Sequence, residues 1–263
     1  MKMKSVFLGI VLLFVLCVPF SFAGPHWTHE EQADWGGIED PAQTEVPLMY
    51  PYAVCSIGDH QSPVDLAADN QTEKLNNLKI KYYPDEPVFF NTGHAVQVNT
   101  SLDYKGRLKV GKEVYPLIQF HFHEPSEHVV NQEVFPAELH FVHVRENGKI
   151  AVLGVLIREG AENATLQTIL DNMPYAPEEE NADTGIKIDP LSLLPQNRKD
   201  YYALAGSLTT PPCSEGVNWY VLAEPITVSE SQLGQLKDYY SNNARDVQDL
   251  NGRSVSNKKM HNH

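Results

Sequence analysis

The chain has 263 residues, with 20 Lys and Arg against 34 Asp and Glu, for a formal net charge of −14. Its hydrophobic content of 42% and charged content of 21% are those of a folded globular protein and exclude wholesale disorder. The acidic balance argues against nucleic acid or an anionic membrane as a partner, because both would be repelled.

In chain order, the first predicted element is a leader. Lys2 and Lys4 form a short positive region, residues 6–20 are almost wholly apolar, and Ser21-Phe22-Ala23 has the small-x-small form of a cleavage site. The apolar run is short for a membrane span, and Pro19 near its end suits a signal peptide better. Residues 1–23 are therefore expected to be removed on export, to the periplasm or beyond, leaving 24–263 as one domain with no membrane association. Loss of the two lysines takes the net charge to −16. Cys17 leaves with the leader. Cys55 and Cys213 remain, and an oxidising compartment favours a disulfide between them.

The exported part reads as mainly β. Strand-like runs are predicted at 78–83, 95–100, 114–123, 138–145, 150–157 and 217–225, separated by turn signals such as Tyr83-Pro84-Asp85. Glu146-Asn147-Gly148 predicts a hairpin between two of them. Helical periodicity is confined to 161–173 and 229–240. The expected architecture is a single domain on a large twisted, mostly antiparallel β-sheet with a few short peripheral helices.

The chemistry lies in the histidines. In Gln119-Phe120-His121-Phe122-His123, strand alternation points both imidazoles to one face and both phenylalanines to the other. In Glu138-Leu139-His140-Phe141-Val142-His143, Val142 shares the face of His140, while Phe141 and His143 lie opposite. Two such strands can converge three neutral imidazoles on one point. That set suits a metal favouring nitrogen, zinc first, and leaves the fourth position of a catalytic site open.

Gln61-Ser62-Pro63, Asn91-Thr92-Gly93-His94-Ala95, the segment Gln119 to His123, Ser126-Glu127-His128, Ala137-Glu138-Leu139-His140 and Ser207-Leu208-Thr209-Thr210-Pro211-Pro212-Cys213 occur in that order. Together they resemble the α-class carbonic anhydrases in their exported bacterial form, from about His26-Trp27 to Asn251-Gly252-Arg253. The resemblance implies one zinc ion per chain on His121, His123 and His140, oriented by Gln119, Glu138 and the backbone carbonyl of Asn243. It implies hydration of CO2 to bicarbonate and a proton by a zinc-bound hydroxide, since zinc lowers the pKa of its water from about 16 to about 7. CO2 is uncharged and needs an apolar niche, which maps to Val142, Val152, Leu208, Val217 and Trp219. Thr209 and Glu127 resemble the family's gatekeeping pair, and Thr210 stands beside them to meet bicarbonate. His94 matches the family's proton shuttle, a role an imidazole with a pKa near 6.5 suits. The position of Cys55 and Cys213 matches the family's exported disulfide.

Three places depart from the pattern. Thr28-His29 stand where the family has Gly-Tyr, and the tyrosine there orders water. His29 is open to three roles: replacing that tyrosine, shuttling protons, or facing solvent. Leu204 replaces a tyrosine, and Asp246 and Asp249 replace prolines, which is expected to cost loop rigidity. His128 is expected to be structural and His143 to be core, while His261 and His263 lie in a polar tail. Two rival functions are a carbonic-anhydrase-like binding module without catalysis and a cupin-type metalloenzyme, in which Glu127 becomes a ligand. The sequence leaves the oligomeric state open between a monomer and a homodimer.

Overall fold

A computed structural model describes residues 24–42, 49–67, 70–72 and 75–258. The predicted leader with Cys17, and the tail histidines His261 and His263, lie outside the described residues. Fourteen strands are present among these: β1 Asn70–Thr72, β2 Leu78–Lys81, β3 Val88–Asn91, β4 Val96–Asn99, β5 Arg107–Val110, β6 Glu113–His123, β7 Val129–Val130, β8 Glu133–Val134, β9 Ala137–Val144, β10 Ile150–Glu159, β11 Glu179–Asn181, β12 Tyr201–Ser207, β13 Glu215–Val228 and β14 Val255–Lys258. The helices are short: α1 Val54–Ile57, α2 Ala164–Asn172 and α3 Glu230–Tyr239. No helix among the described residues is long and apolar enough to cross a membrane.

Twelve strands form one sheet, with the path β1-β14-β12-β13-β10-β9-β6-β4-β3-β11 and with β5 and β2 branching from β6. The pairs β10–β13 and β1–β14 are parallel and the other pairs of the sheet antiparallel. All six predicted strands are present, and the Glu146-Asn147-Gly148 turn does join β9 to β10. Helix α2 begins three residues later than predicted because Asn163 caps it, its Oδ1 accepting from the Thr165 and Leu166 N–H groups. Ser229 and Gln232 form a capping box that starts α3.

The sheet has two chemically distinct faces. One carries Phe120, Phe122, Leu139, Phe141, Leu153 and Val155 into the main core, under α2 and α3. The other carries a second apolar cluster that includes Val142, Val152, Leu204, Val217 and Trp219. Burying one fully apolar face anchors the register, since a slip of one residue would exchange the faces.

His143 faces the core as expected. It is fully buried, its Nε2 meeting the Tyr82 hydroxyl at 2.8 Å and its Nδ1 the Ala151 carbonyl at 3.1 Å. Burial pushes this imidazole down to about 4. The folded state therefore refuses a proton that the unfolded chain takes up near pH 6.5, so this contribution to stability is complete above pH 6.5 and is lost as pH falls toward 4. Within that window it changes by about 1.4 kcal/mol per pH unit. Denaturant unfolding of His143→Phe across pH 7 to 4.5 is expected to show a slope shallower by one proton; an identical slope would contradict the assignment.

Cys55 and Cys213 form a disulfide, 158 residues apart in sequence. It lies in a small cluster with Trp35 and Tyr52. Cys213 closes the loop that carries Thr209 and Thr210, its N–H donating to the Thr210 carbonyl at 2.9 Å. Closing so long a loop limits the unfolded chain by about 5 kcal/mol in the chain-entropy account. Reduction is expected to lower the melting temperature; an unchanged melting curve with both thiols shown to be free would contradict this.

Candidate active site

The site is built on neighbouring strands β6 and β9. Their register sets His121 opposite His140, His123 opposite Glu138 and Gln119 opposite Val142. Alternation then turns all six side chains to the face away from the main core. The three imidazoles form one cluster, with ring centres 5.0 Å apart for His121 and His123, 5.3 Å for His121 and His140, and 4.7 Å for His123 and His140.

In each ring one nitrogen faces an oxygen. His121 Nδ1 meets Gln119 Oε1 at 2.9 Å. His123 Nδ1 donates to the Asn243 carbonyl at 2.8 Å. His140 Nε2 comes within 2.9 Å of Glu138 Oε1, a close ion-pair approach that falls outside hydrogen-bond alignment. An oxygen acceptor fixes the proton on the nitrogen facing it, so the other nitrogen of His121 and of His123 keeps its lone pair, and the charge of Glu138 beside Nε2 favours the same arrangement in His140. One ring nitrogen from each of the three residues lies within 4.8 Å of the other two, close enough for the group to hold a metal ion. His123 Nε2 is buried with no hydrogen-bond partner. Converging lone pairs without a proton between them fit a cation, and an all-imidazole set with three members fits zinc with one position to spare.

Charge follows the same plan. Burial, then the neighbouring His123 and His140, hold His121 well below its ordinary range. Burial also lowers His123. Glu138 is the opposite case: it is fully buried, yet His128 and His140 overcome the desolvation and keep it ionised, well below the usual carboxylate range. Its Oε2 accepts from the Glu127 and His128 N–H groups at 3.0 and 2.8 Å, and its Oε1 meets His128 Nδ1 at 2.9 Å. His128 is thus structural. His128, Glu138 and His140 also lie close enough to hold an ion, but their mutual contacts already engage the carboxylate. Gly154 lies opposite His140 on β10, and a Cβ there would meet Glu138 Oε1 at 3.1 Å, so the carboxylate owes its seat partly to that glycine.

The apolar side of the site is a continuous wall. Val142 pairs with Val152 and Val152 with Trp219 across three strands. Val217 and Leu208 join the same cluster. Leu204, in place of the family's tyrosine, is buried in this cluster opposite Trp219. The turn before Thr209 is pinned by reciprocal Ser62–Ser207 bonds of 2.9 and 3.2 Å, and by Trp219 Nε1 donating to the Ser207 carbonyl at 3.0 Å. Thr209 is 6% exposed. Glu127 Oε1 accepts from the Arg245 N–H at 2.9 Å, while Oε2 has no hydrogen-bond partner and lies 3.4 Å from His123 Nε2.

His94 projects from a turn at the start of β4. Gly93 adopts φ +81°, and the Thr92 hydroxyl accepts from the N–H groups of His94 and Ala95 at 3.0 and 2.8 Å. The imidazole is half-buried and stacks on Trp27, with ring centres 3.9 Å apart and planes at 11°. Asn243 ties this turn to the histidine cluster. Its carbonyl holds His123, and its side-chain amide donates to the His94 carbonyl at 2.9 Å. His29 is buried rather than facing solvent, which removes one of its three readings.

Sequence reasoning missed Arg245, the Asn243 side chain and Trp27. The Arg245 guanidinium donates to Gln61 Oε1 and the Ser62 and Cys55 carbonyls at 2.8 to 2.9 Å, so one buried residue links the disulfide segment to Glu127. Asp246, where the family has proline, uses the N–H a proline lacks, donating to Gln32 Oε1 at 2.6 Å.

Comparison with known proteins agrees with this geometry. Residues 47–259 match the model of the eukaryotic-type carbonic anhydrase family. A carbonic anhydrase of Nostoc sp. is 35% identical over 94% of this chain and 95% of its own, and one of Pectobacterium atrosepticum is 36% identical over 96% and 99%. The α-carbonic anhydrase of Thermovibrio ammonificans, solved with the inhibitor sulfanilamide, superposes with a TM-score of 0.79 at 40% identity, covering 89% of this chain and 99% of that one. The cupin alternative falls with these matches. The chain belongs to the α-carbonic anhydrase family, the enzymes that interconvert CO2 and bicarbonate.

Proposed function

We propose that His121 and His123 through Nε2, and His140 through Nδ1, hold one zinc ion in this carbonic anhydrase. The observation that carries the assignment is the convergence of three ring nitrogens whose partner nitrogens each face an oxygen. Zinc held by these three histidines would supply Lewis acidity, enough to bring the pKa of a water near neutrality and so provide the nucleophile for CO2.

The chain's own residues do the rest. Val142, Val152, Leu208, Val217 and Trp219 form a niche that excludes water and receives CO2, which has no charge to attract it elsewhere. Glu127 has one oxygen committed to the Arg245 N–H. Its free Oε2 is the acceptor we assign to the Thr209 hydroxyl. A threonine that donates to a carboxylate can only accept from the cavity side, so it admits a protonated oxygen and refuses an unprotonated one. Thr210 is assigned to the bicarbonate product. His94 takes the released proton and passes it to solvent. The disulfide supports export of the domain, to the periplasm or the medium, after removal of residues 1–23.

CO2 hydration with and without chelator, alongside metal analysis, tests the function. About one zinc per chain and fast, chelator-sensitive hydration are expected; bound zinc with no hydration would leave only a binding module. His94→Ala is expected to slow turnover by about 10²-fold, the low end for losing a proton-transfer group, with zinc content intact. Added imidazole should restore the rate, and failure of that rescue would argue against a shuttle.

A further inference from the structure

Arg245 sits where stability alone gives little reason for a charge. It is 4% exposed, and the partners of its guanidinium are neutral oxygens: Gln61 Oε1 at 2.9 Å, the Ser62 carbonyl at 2.8 Å and the Cys55 carbonyl at 2.9 Å. No carboxylate among the described residues stands within ion-pair distance of it. Burial pulls the guanidinium down to about 10, so it stays charged near neutral pH. A buried charge without a counter-ion costs free energy, and well-packed apolar residues often serve stability equally well. What a guanidinium adds is geometry, a planar fork that holds several acceptors in one arrangement. The fully buried Trp35 lies against this fork, its ring centre 5.7 Å from the guanidinium carbon. The acceptors lead to one loop from both ends. Ser62 exchanges two hydrogen bonds with Ser207, two residues before Thr209. Cys55 is joined to Cys213 by the disulfide, and Gln61 Nε2 donates to the Cys213 carbonyl at 3.2 Å. The segment 207–213 is thus gripped at its entry and its exit by residues that one guanidinium holds. The backbone N–H of the same arginine donates to Glu127 Oε1 at 2.9 Å.

We propose that the Arg245 side chain is a positioning residue for ligand selection: it fixes the loop carrying Thr209 against Glu127, and so fixes which way the Thr209 hydroxyl points. The inference rests on the carbonic anhydrase reading, in which Thr209 donates to Glu127 and accepts from the ligand. A hydrogen bond is lost within about 1 Å of stretch, so slight slack between loop and carboxylate frees the hydroxyl to turn. A hydroxyl held by Glu127 demands a ligand that brings an N–H or O–H. A freed hydroxyl can offer its own proton and meets an aprotic anion as readily. The fork therefore acts at a distance on discrimination between the two kinds of ligand, without touching either the metal ligands or the substrate niche.

The test measures binding of two probes to the zinc-loaded protein by calorimetry. Sulfanilamide keeps an N–H on its sulfonamide nitrogen after losing one proton, and thiocyanate has no proton to give. Arg245→Met removes the fork and is expected to raise the ratio of the sulfanilamide Kd to the thiocyanate Kd about 10-fold or more, the scale of a misplacement near 1 Å, with zinc content unchanged. Arg245→Lys keeps the charge without the fork and should recover little of that shift. Ser62→Ala leaves the arginine in place and cuts its link to Ser207, so it should move the ratio in the same direction. In CO2 hydration, kcat/KM should fall more than kcat, and added imidazole should not restore it, the reverse of His94→Ala. Equal weakening of both probes, as zinc loss or a loosened fold would give, an unchanged ratio, or full recovery in Arg245→Lys would overturn the proposal. Wild type that binds both probes but hydrates no CO2 would instead sink the carbonic anhydrase reading, and the probe ratio would still decide the role of Arg245. Should Arg245→Met fail to fold, Arg245→Lys and Ser62→Ala carry the test.

Discussion

Replacing His140 by alanine is expected to remove CO2 hydration almost entirely, on the order of 10⁶-fold, the low end of enzymatic rate enhancement. The reason is convergence. His140 supplies the only nitrogen that β9 offers to the cluster on β6, so its loss leaves His121 and His123 on a single strand as a two-ligand site. Zinc is then expected to dialyse away. Glu138 keeps His128 and two backbone N–H groups, so the fold is expected to survive, with a cooperative melt. Retention of about one tightly held zinc per chain by His140→Ala would contradict the assignment.

Glu138→Ala is expected to damage stability as well as metal binding. This carboxylate is fully buried and meets four groups: it accepts from the His128 imidazole and two backbone N–H groups, and it lies 2.9 Å from His140 Nε2 as a close ion pair. Truncation strands all four in a space too closed for bulk water. Breaking a buried charged pair costs about 3–5 kcal/mol, and losing the oxygen that orients a metal-bound histidine weakens metal affinity about 10- to 100-fold. Glu138→Gln keeps the shape but swaps one acceptor for a donor facing donors, so it should recover only part of either loss. Gln119→Ala is the milder contrast, since Gln119 makes one hydrogen bond to the partly exposed His121. Denaturant unfolding and competitive zinc titration of the three variants measure both effects. Equal losses for Gln119→Ala and Glu138→Ala would contradict this ranking.

These expectations were legible in the sequence to different depths. The histidine cluster was the most legible part, because strand alternation is strict. Gln119, His121 and His123 had to share a face, and so did Glu138, His140 and Val142; only the pairing of the two strands was missing, and the β6–β9 register supplies it. The core strands were legible for the same reason, being dense in β-branched and aromatic residues. Strand β12 was not: Tyr201-Tyr202-Ala203-Leu204-Ala205-Gly206-Ser207 is weakened by alanine and glycine and is held by its neighbours β13 and β14. The parallel β10–β13 pair joins segments some sixty residues apart, with a helix between them, and no local pattern announces it. Arg245 and the Asn243 side chain were invisible because their partners lie more than a hundred residues away in sequence. The burial of His29 was hidden likewise, since it depends on Trp27, Trp35 and His94 closing around a ring that local sequence left free to face water.

The central claim is that three imidazoles, and no carboxylate, hold the zinc. Anomalous diffraction at the zinc edge from crystals of the zinc-loaded protein tests it most directly. The account predicts one peak, about 2.0–2.1 Å from His121 Nε2, His123 Nε2 and His140 Nδ1, as zinc–imidazole bonds require. A peak within bonding distance of Glu127 Oε2, or one seated between His128, Glu138 and His140, would contradict it.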